Sequence, residues 1–242
     1  MSSEKLKIII GLPGDNFSQA FLLSWTRLMD YLIKSDKYDI AISPGKSSYV
    51  TFARMQTLGL NVLRGKNQKA FNGEEYDVFV TIDSDIVFTP AQFVELVEST
   101  KIHPVVAGYY MMQDGKHFAV VKNWDKEYFI KNGTFQFFEQ QDLEPYMRRF
   151  EEQLASKQIG SPEFLQVSYA GMGFFACRKA VLDNMKYPFF NSKLQKIVSS
   201  DGLELEDLCS EDVAFCKNIQ KAGYDIMLNT RLRVGHEKRV IL

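Results

Sequence analysis

Residues 76–90 read YDVFVTIDSDIVFTP. The opening run, Tyr76 to Ile82, is almost uniformly apolar or β-branched, the pattern of a strand covered on both faces at the centre of a parallel sheet. Asp83-Ser84-Asp85 follows where such a strand ends. Thr89-Pro90-Ala91-Gln92 then starts a helix, with Thr at the N-cap, Pro at N1 and Gln at N3. That helix runs to about Ser99 with Phe93, Leu96 and Val97 on one face, and His103 to Tyr110 is the next strand. In an open α/β sheet ligands bind beyond the carboxyl ends of the strands. The two aspartates therefore stand where a ligand site is expected.

Upstream, Lys7 to Gly11 reads as a buried strand that ends in the turn Leu12-Pro13-Gly14-Asp15. Asp15 or Asn16 is placed to cap a helix in which Phe21, Trp25, Leu28, Met29 and Leu32 recur at helical spacing. Tyr38 to Ser43 is a second strand, broken by Pro44-Gly45. Ser47 to Leu58 follows as a second helix, and Leu60 to Leu63 as a short strand. This β-α-β-α-β order predicts an α/β fold with a Rossmann-like, mostly parallel, doubly wound sheet. Downstream, residues 111–140 carry short aromatic strands around the hairpin signals Asp114-Gly115 and Asn132-Gly133. Leu143 to Lys157 is a charged surface helix. Leu165 to Tyr169 and Gly173 to Cys177 are strands around Ala170-Gly171-Met172. Ser210 caps a helix from Glu211 to Ala222, with Gly223 where a C′ glycine is wanted, and Tyr224 to Leu228 is a last strand. The expectation is one domain over residues 1–242, with a nucleotide-binding half (1–110) and an aromatic, smaller antiparallel acceptor-side half (111–242).

Composition bounds what this fold does. The chain has 242 residues, 45% apolar and 24% charged, ordinary for a soluble globular protein. Lys plus Arg (29) nearly balances Asp plus Glu (30), which argues against holding nucleic acid by bulk charge. Cys177, Cys209 and Cys216 form no CxxC pair and are odd in number, so a disulfide framework or a cysteine-based zinc site is not expected. No run of about 18 apolar residues occurs and the N-terminal apolar stretch is too short for a signal segment. A cytoplasmic protein without a membrane anchor is the expectation.

Three short constellations carry chemistry. Asp83-x-Asp85 offers hard oxygen ligands suited to Mn²⁺ or Mg²⁺ with a phosphate completing the shell; a plain turn into a helix is the alternative. Ser210-Glu211-Asp212 places acids in the first turn of a helix, where they favour the macrodipole, or where one of them serves as a general base. Gly235-His236-Glu237-Lys238-Arg239 offers a histidine that could join the aspartates on a metal, and cations that could neutralise a diphosphate; a polar tail is the alternative. Other motifs fail. Gly45-Lys46-Ser47 lacks the first glycine of a phosphate loop, since Ile40 stands in its place, and Gly171-x-Gly173-x-x-Ala176 lies between two strands instead of opening a helix. His103, His117 and His236 have no ligand spacing to one another, and Arg64, Lys66 and Lys69 read as a solvated face.

In combination these segments resemble a GT-A glycosyltransferase of the small family 2-like type found in viruses and bacteria. The similarity runs in order over nearly the whole chain. It comprises the first strand and Pro-Gly turn, the Arg-bearing helix Phe52-Ala53-Arg54, the DxD block DVFVTIDSDIVFTP, VVAGYY (105–110), YAGMGFFACRKAVL (169–182), SEDVAFCKNIQKAGYDI (210–226) and a late Gly-His. The resemblance implies a nucleotide-sugar donor, UDP-sugar or GDP-sugar, over the carboxyl end of the sheet, held with Mn²⁺ or Mg²⁺. Pro13, Asp15 and Arg54 would surround the base and ribose. Asp83 and Ser84 would lie near the ribose and metal, with Asp83, Asp85 and His236 as the metal set and Lys238 on the diphosphate. Gly171 and Gly173 would let the backbone approach the donor sugar. Asp212, or Glu211, would be the base of an inverting transfer to an acceptor hydroxyl, either of a glycan or of a hydroxymethylated DNA base. Met55 departs from the Asn that often follows the helix Arg in this family.

Residues 111–165 match nothing general and are assigned to the acceptor side, where Trp124, Tyr128 or Phe137 could stack on a sugar or base, or simply pack. Two other readings compete. A nucleotidyltransferase shares the acidic metal site but needs a glycine-rich, Arg-containing loop after the first strand, which GLPGDNF lacks. A non-catalytic sugar- or nucleotide-binding module would bind without metal dependence.

Overall fold

The computed structural model describes residues 5–238. Its elements are β1 (Leu6–Pro13), α1 (Gln19–Lys34), β2 (Tyr38–Gly45), α2 (Val50–Thr57), β3 (Val78–Ile82), β4 (Ile86–Val87), α3 (Pro90–Ser99), β5 (Val105–Tyr109), β6 (His117–Val121), α4 (Lys126–Asn132) and β7 (Phe137–Glu139). They continue with α5 (Gln140–Ala155), β8 (Phe164–Val167), β9 (Tyr169–Ala170), β10 (Phe174–Arg178), α6 (Lys179–Asn184), β11 (Leu194–Val198), β12 (Glu204–Leu208), α7 (Glu211–Lys221), β13 (Ile226–Arg233) and β14 (Gly235–His236).

The central sheet has seven strands in the order β2-β1-β3-β10-β5-β13-β8. β1 is parallel to β2 and β3, and β13 to β5, whereas β10 runs antiparallel to both β3 and β5, and β8 antiparallel to β13. Most strands thus share one direction, with β10 and β8 reversed. β3 sits inside this sheet and every one of its residues is buried. Alternation along it feeds two cores. Val78, Val80 and Ile82 join α1 and α3 residues such as Phe21, Leu28, Phe93 and Leu96 on one face. Phe79 joins Phe215 and Ile219 of α7 and Val181 and Leu182 of α6 on the other.

Local chemistry explains the ends of the elements. Thr89 and Gln92 form a reciprocal capping box at α3 with Pro90 in the first turn. Ser210 Oγ accepts from the Val213 amide to cap α7, and Gly223, at φ 88°, follows that helix. Other expectations are corrected. Ser18, not Asp15 or Asn16, caps α1, because its hydroxyl reaches the Phe21 amide. Leu60 to Leu63 forms no strand; residues 62–64 make a single 3-10 turn instead. Asn132-Gly133 ends α4 instead of turning a hairpin, with Gly133 in the left-handed region. The Asp114-Gly115 turn does close a hairpin, with Met111 bridging to Phe118. Among the described residues no helix is long and apolar enough to cross a membrane, and the three cysteines form no disulfide.

Candidate active site

β1 and β3 are parallel neighbours, so Pro13-Gly14 and Asp83-Ser84-Asp85 leave the sheet side by side. The Asp83 amide is anchored to the Gly173 carbonyl (3.0 Å), and a tight turn closes with Ile86 N–H donating to Asp83 O (3.1 Å). Beyond it β4 pairs with β14, setting His236 opposite Ile86, and the Glu237 amide donates to the Asp85 carbonyl at 2.8 Å. This two-residue ladder brings the chain's late Gly-His onto the DxD turn. A cleft of about 430 Å³ opens there, lined by Pro13, Gly14, Arg54, Asp83, Ser84, Asp85, Tyr110, His236 and Lys238 among others.

Two charge clusters meet in this cleft. In the first, Asp85 Oδ2 lies 2.6 Å from Lys238 Nζ and 3.3 Å from His236 Nε2. Burial pushes the Asp85 carboxyl up, but the hydrogen bonds from His236 and Lys238 outweigh it and hold it at about 2. His236 Nδ1 faces the Met111 carbonyl at 2.7 Å. Donation to that carbonyl commits Nδ1, so Nε2, the nitrogen that faces Asp85, is the one available to a metal once it carries no proton. The ring also stands edge-on to Tyr110, 4.7 Å between centroids.

The second cluster is built on Arg54, whose side chain is only 4% exposed. Its terminal nitrogens hold both oxygens of Asp83 (3.0 and 3.2 Å) and its Nε–H points at Glu211 Oε1 (3.4 Å). Asp212 Oδ1 is 3.0 Å from the same Nε, close enough for an ion pair but off the N–H axis, and it makes no hydrogen bond. The other oxygen, Oδ2, accepts from the Met172 amide (3.2 Å). Burial drives the Asp212 carboxyl up to about 7; Arg54 pulls it down, while Glu211 and Asp83 push it further up.

The structure thus gathers Pro13, Arg54, Asp83, Ser84, Asp85, His236 and Lys238 at one cleft, with Glu211 and Asp212 behind Arg54. It separates others. Asp15 pairs with Lys46 at the surface (3.0 Å). Arg54 faces carboxylates, because a buried cation beside three acids has its donors consumed. Asp83 is committed to Arg54 and does not join Asp85 and His236; among the described residues no group of three His, Cys, Asp or Glu side chains is arranged around a metal. Gly171 and Gly173 back onto Tyr110: a Cβ at Gly171 would sit 2.3 Å from the Tyr110 hydroxyl and one at Gly173 2.8 Å from it. Their bareness makes room for that ring, whose hydroxyl accepts from the Gly173 amide (3.1 Å). Trp124 is engaged in packing, 4.8 Å from Phe135 and under the Lys217 ammonium, and Phe137 lies 6.3 Å from Tyr169. Arg239 lies outside the described residues. The sequence reading missed Tyr110, which lines the cleft, and the Met111 carbonyl that fixes the His236 ring; VVAGYY marked the strand but not which ring turns inward.

With this geometry in view, the fold is GT-A-like: a mostly parallel α/β sheet with a reversed strand inserted, flanked by helices and small antiparallel sheets. A solved structure, GalNAc-T7 with UDP, GalNAc and Mn²⁺, matches over 97% of this chain and 43% of that one, at TM-score 0.50 and 11% identity. A197 from STIV matches 99% of this chain and 97% of its own at TM-score 0.45 and 14% identity. Glucosyl-3-phosphoglycerate synthase from Mycobacterium tuberculosis, in complex with Mn²⁺, UDP and phosphoglyceric acid, matches 97% and 72% at TM-score 0.42 and 13% identity. No protein-family model matches the sequence, and no curated protein sequence does.

Proposed function

We propose that the protein transfers a sugar from a nucleoside-diphosphate sugar, a UDP-sugar in the first instance, to an acceptor hydroxyl with inversion. The observation that carries this reading is the meeting of the Asp85–His236–Lys238 cluster and the Arg54–Asp83–Glu211–Asp212 cluster at one cleft beyond the carboxyl ends of β1 and β3.

Asp85 and His236 fit a divalent metal of the Mn²⁺ or Mg²⁺ kind. They present one hard oxygen and one imidazole nitrogen that face each other, a set that leaves the remaining positions to phosphate oxygens and water. When bound, the metal would neutralise the diphosphate as a Lewis acid and so favour its departure. Lys238 adds a flexible cation on the same side, released from Asp85 to a phosphate oxygen. Pro13 and Ser84 flank the nucleoside, and Asp83, at the cleft wall, faces the ribose hydroxyls. Asp212 accepts the proton of the acceptor hydroxyl as that oxygen attacks the anomeric carbon and the bond from that carbon to the diphosphate oxygen breaks. A carboxyl titrating near 7 suits this task, since a base works best when its pKa lies near the working pH.

Mn²⁺ binding tests the first half of this reading. Titrated by electron paramagnetic resonance in the presence of UDP, the wild-type protein is expected to take up Mn²⁺, and Asp85→Ala to lose roughly 10- to 100-fold or more in affinity. Equal Mn²⁺ affinity in the two proteins would place the metal elsewhere and contradict the assignment.

A further inference from the structure

One buried guanidinium serves three carboxylates. With Asp83, Glu211 and Asp212 all ionised, Arg54 would leave two negative charges uncompensated around a buried guanidinium, with Glu211 and Asp212 themselves mostly covered, an arrangement that favours keeping one proton. The sharing is unequal. The donor-side carboxylate, Asp83 at the end of β3, takes both terminal nitrogens of Arg54 as a fork. The acceptor-side pair on α7 receives only Nε, and that N–H is directed at Glu211. Among the described residues Asp212 Oδ1 is left buried with no hydrogen-bond partner. The other titratable groups facing Asp212 are Tyr110 beside β5, Tyr169 on β9 and Cys216 one turn along α7, and none of them brings a cation. Among the described residues only Arg54 supplies positive charge there, and its fork is spent on the opposite wall.

We propose that Arg54 is a positioning residue that couples donor binding to the readiness of the base: when a donor engages Asp83, the guanidinium turns its freed N–H groups to Asp212 Oδ1, and Asp212 gives up its proton. This rests on the donor reading given above and adds a regulation to the same site. Before the donor binds, Asp212 shares its time between the protonated and ionised forms at neutral pH and lies behind the guanidinium. Donor hydroxyls on Asp83 replace the hydrogen bonds it loses from Arg54. The proton that leaves Asp212 passes to solvent, and no covalent bond changes. Transfer is thereby restricted to the state in which the nucleotide is already in place.

The test counts protons and needs no acceptor. UDP is titrated calorimetrically in the presence of Mn²⁺ at pH 7, in buffers of different ionisation enthalpy. A carboxyl titrating near 7 is half-protonated at that pH, so the wild-type protein is expected to release about half a proton more than Asp212→Asn. The excess fades by about pH 9, where the carboxyl is already ionised. Any proton lost from His236 to the metal is common to both proteins and cancels. Asp83→Asn removes one of the competing charges beforehand, so it too is expected to lack the excess. It carries the test alone if Asp212→Asn does not fold. Equal proton release in the wild type and both variants, with binding intact, overturns the coupling and leaves the donor reading standing. Absence of binding by UDP, GDP and dTDP alike, with Mn²⁺ present, contradicts the donor reading itself and the coupling with it.

Discussion

Asp212→Asn is expected to lower the rate of sugar transfer by roughly 100- to 10,000-fold, the contribution typical of a positioned general base, while nucleotide affinity stays within a few-fold of wild type. The separation follows from geometry. Asp212 lies on α7 behind Arg54, away from the Asp85, His236 and Lys238 groups assigned to the diphosphate. An amide of the same shape keeps the contact with the Met172 amide but cannot take a proton. Stability provides an independent signature. Burial raises the Asp212 carboxyl from its ordinary value to about 7, so the folded protein binds that proton more tightly than the unfolded chain does. Its contribution to stability is therefore complete below about pH 4 and is lost as pH rises through 7. Chemical unfolding at pH 5 and pH 8 should show that decline in the wild type and not in Asp212→Asn. A variant that transfers sugar at the normal rate would contradict the assignment of the base.

Arg54→Met is expected to destabilise the fold by about 3 to 5 kcal/mol at pH 7, the range for removing one partner of a buried ionic cluster. Methionine restores most of the volume, so the loss reports charge and not a cavity. Three carboxylates would be left around an uncharged side chain: Asp83 would lose two hydrogen bonds and Glu211 one. Protonation relieves this. The destabilisation should shrink towards pH 5 and grow towards pH 8, the direction expected when the remaining carboxylates repel one another. Urea unfolding measures both effects. A change below about 1 kcal/mol, or one independent of pH, would show that Arg54 is not the counter-charge of the cluster.

Much of the fold is legible in the sequence because its strongest segments are locally consistent. Val78 to Ile82 is apolar or β-branched at every position, the pattern of a strand covered on both faces, and Thr89-Pro90-x-Gln92 and Ser210 announce their helices by capping chemistry. The order of strands is not legible in this way. β10 inserts antiparallel between β3 and β5, a pairing made across long sequence separations that no local periodicity encodes. The hairpin of β11 and β12 also escapes: its alternation is weak and its residues are mostly exposed.

The site shows the same division. Of the residues expected to serve metal and phosphate, Asp85, His236 and Lys238 lie together, since a two-residue ladder joins their segments, while Asp83 turns to Arg54. Arg54 and Asp83 were assigned to the nucleotide and the metal, yet they spend their hydrogen bonds on each other, because burial is a tertiary property and a buried guanidinium seeks carboxylates first. The sequence places Gly171 and Gly173 where a sugar could approach, whereas the space they leave is filled by Tyr110, the residue just past the end of β5.

The central claim is a metal-dependent nucleotide-sugar site, and thermal unfolding with UDP-, GDP-, dTDP- and CMP-sugars, each with and without Mn²⁺, tests it most directly. A ligand present at 100 times its dissociation constant stabilises the native state by about 2.7 kcal/mol, readily seen as a rise in Tm. One class of nucleotide is expected to raise the midpoint in the presence of Mn²⁺ and to have little effect without it, with the rise lost in Asp85→Ala. No shift with any of the four donors at saturating Mn²⁺ would contradict the account and reduce Asp83-Ser84-Asp85 to a turn between β3 and β4.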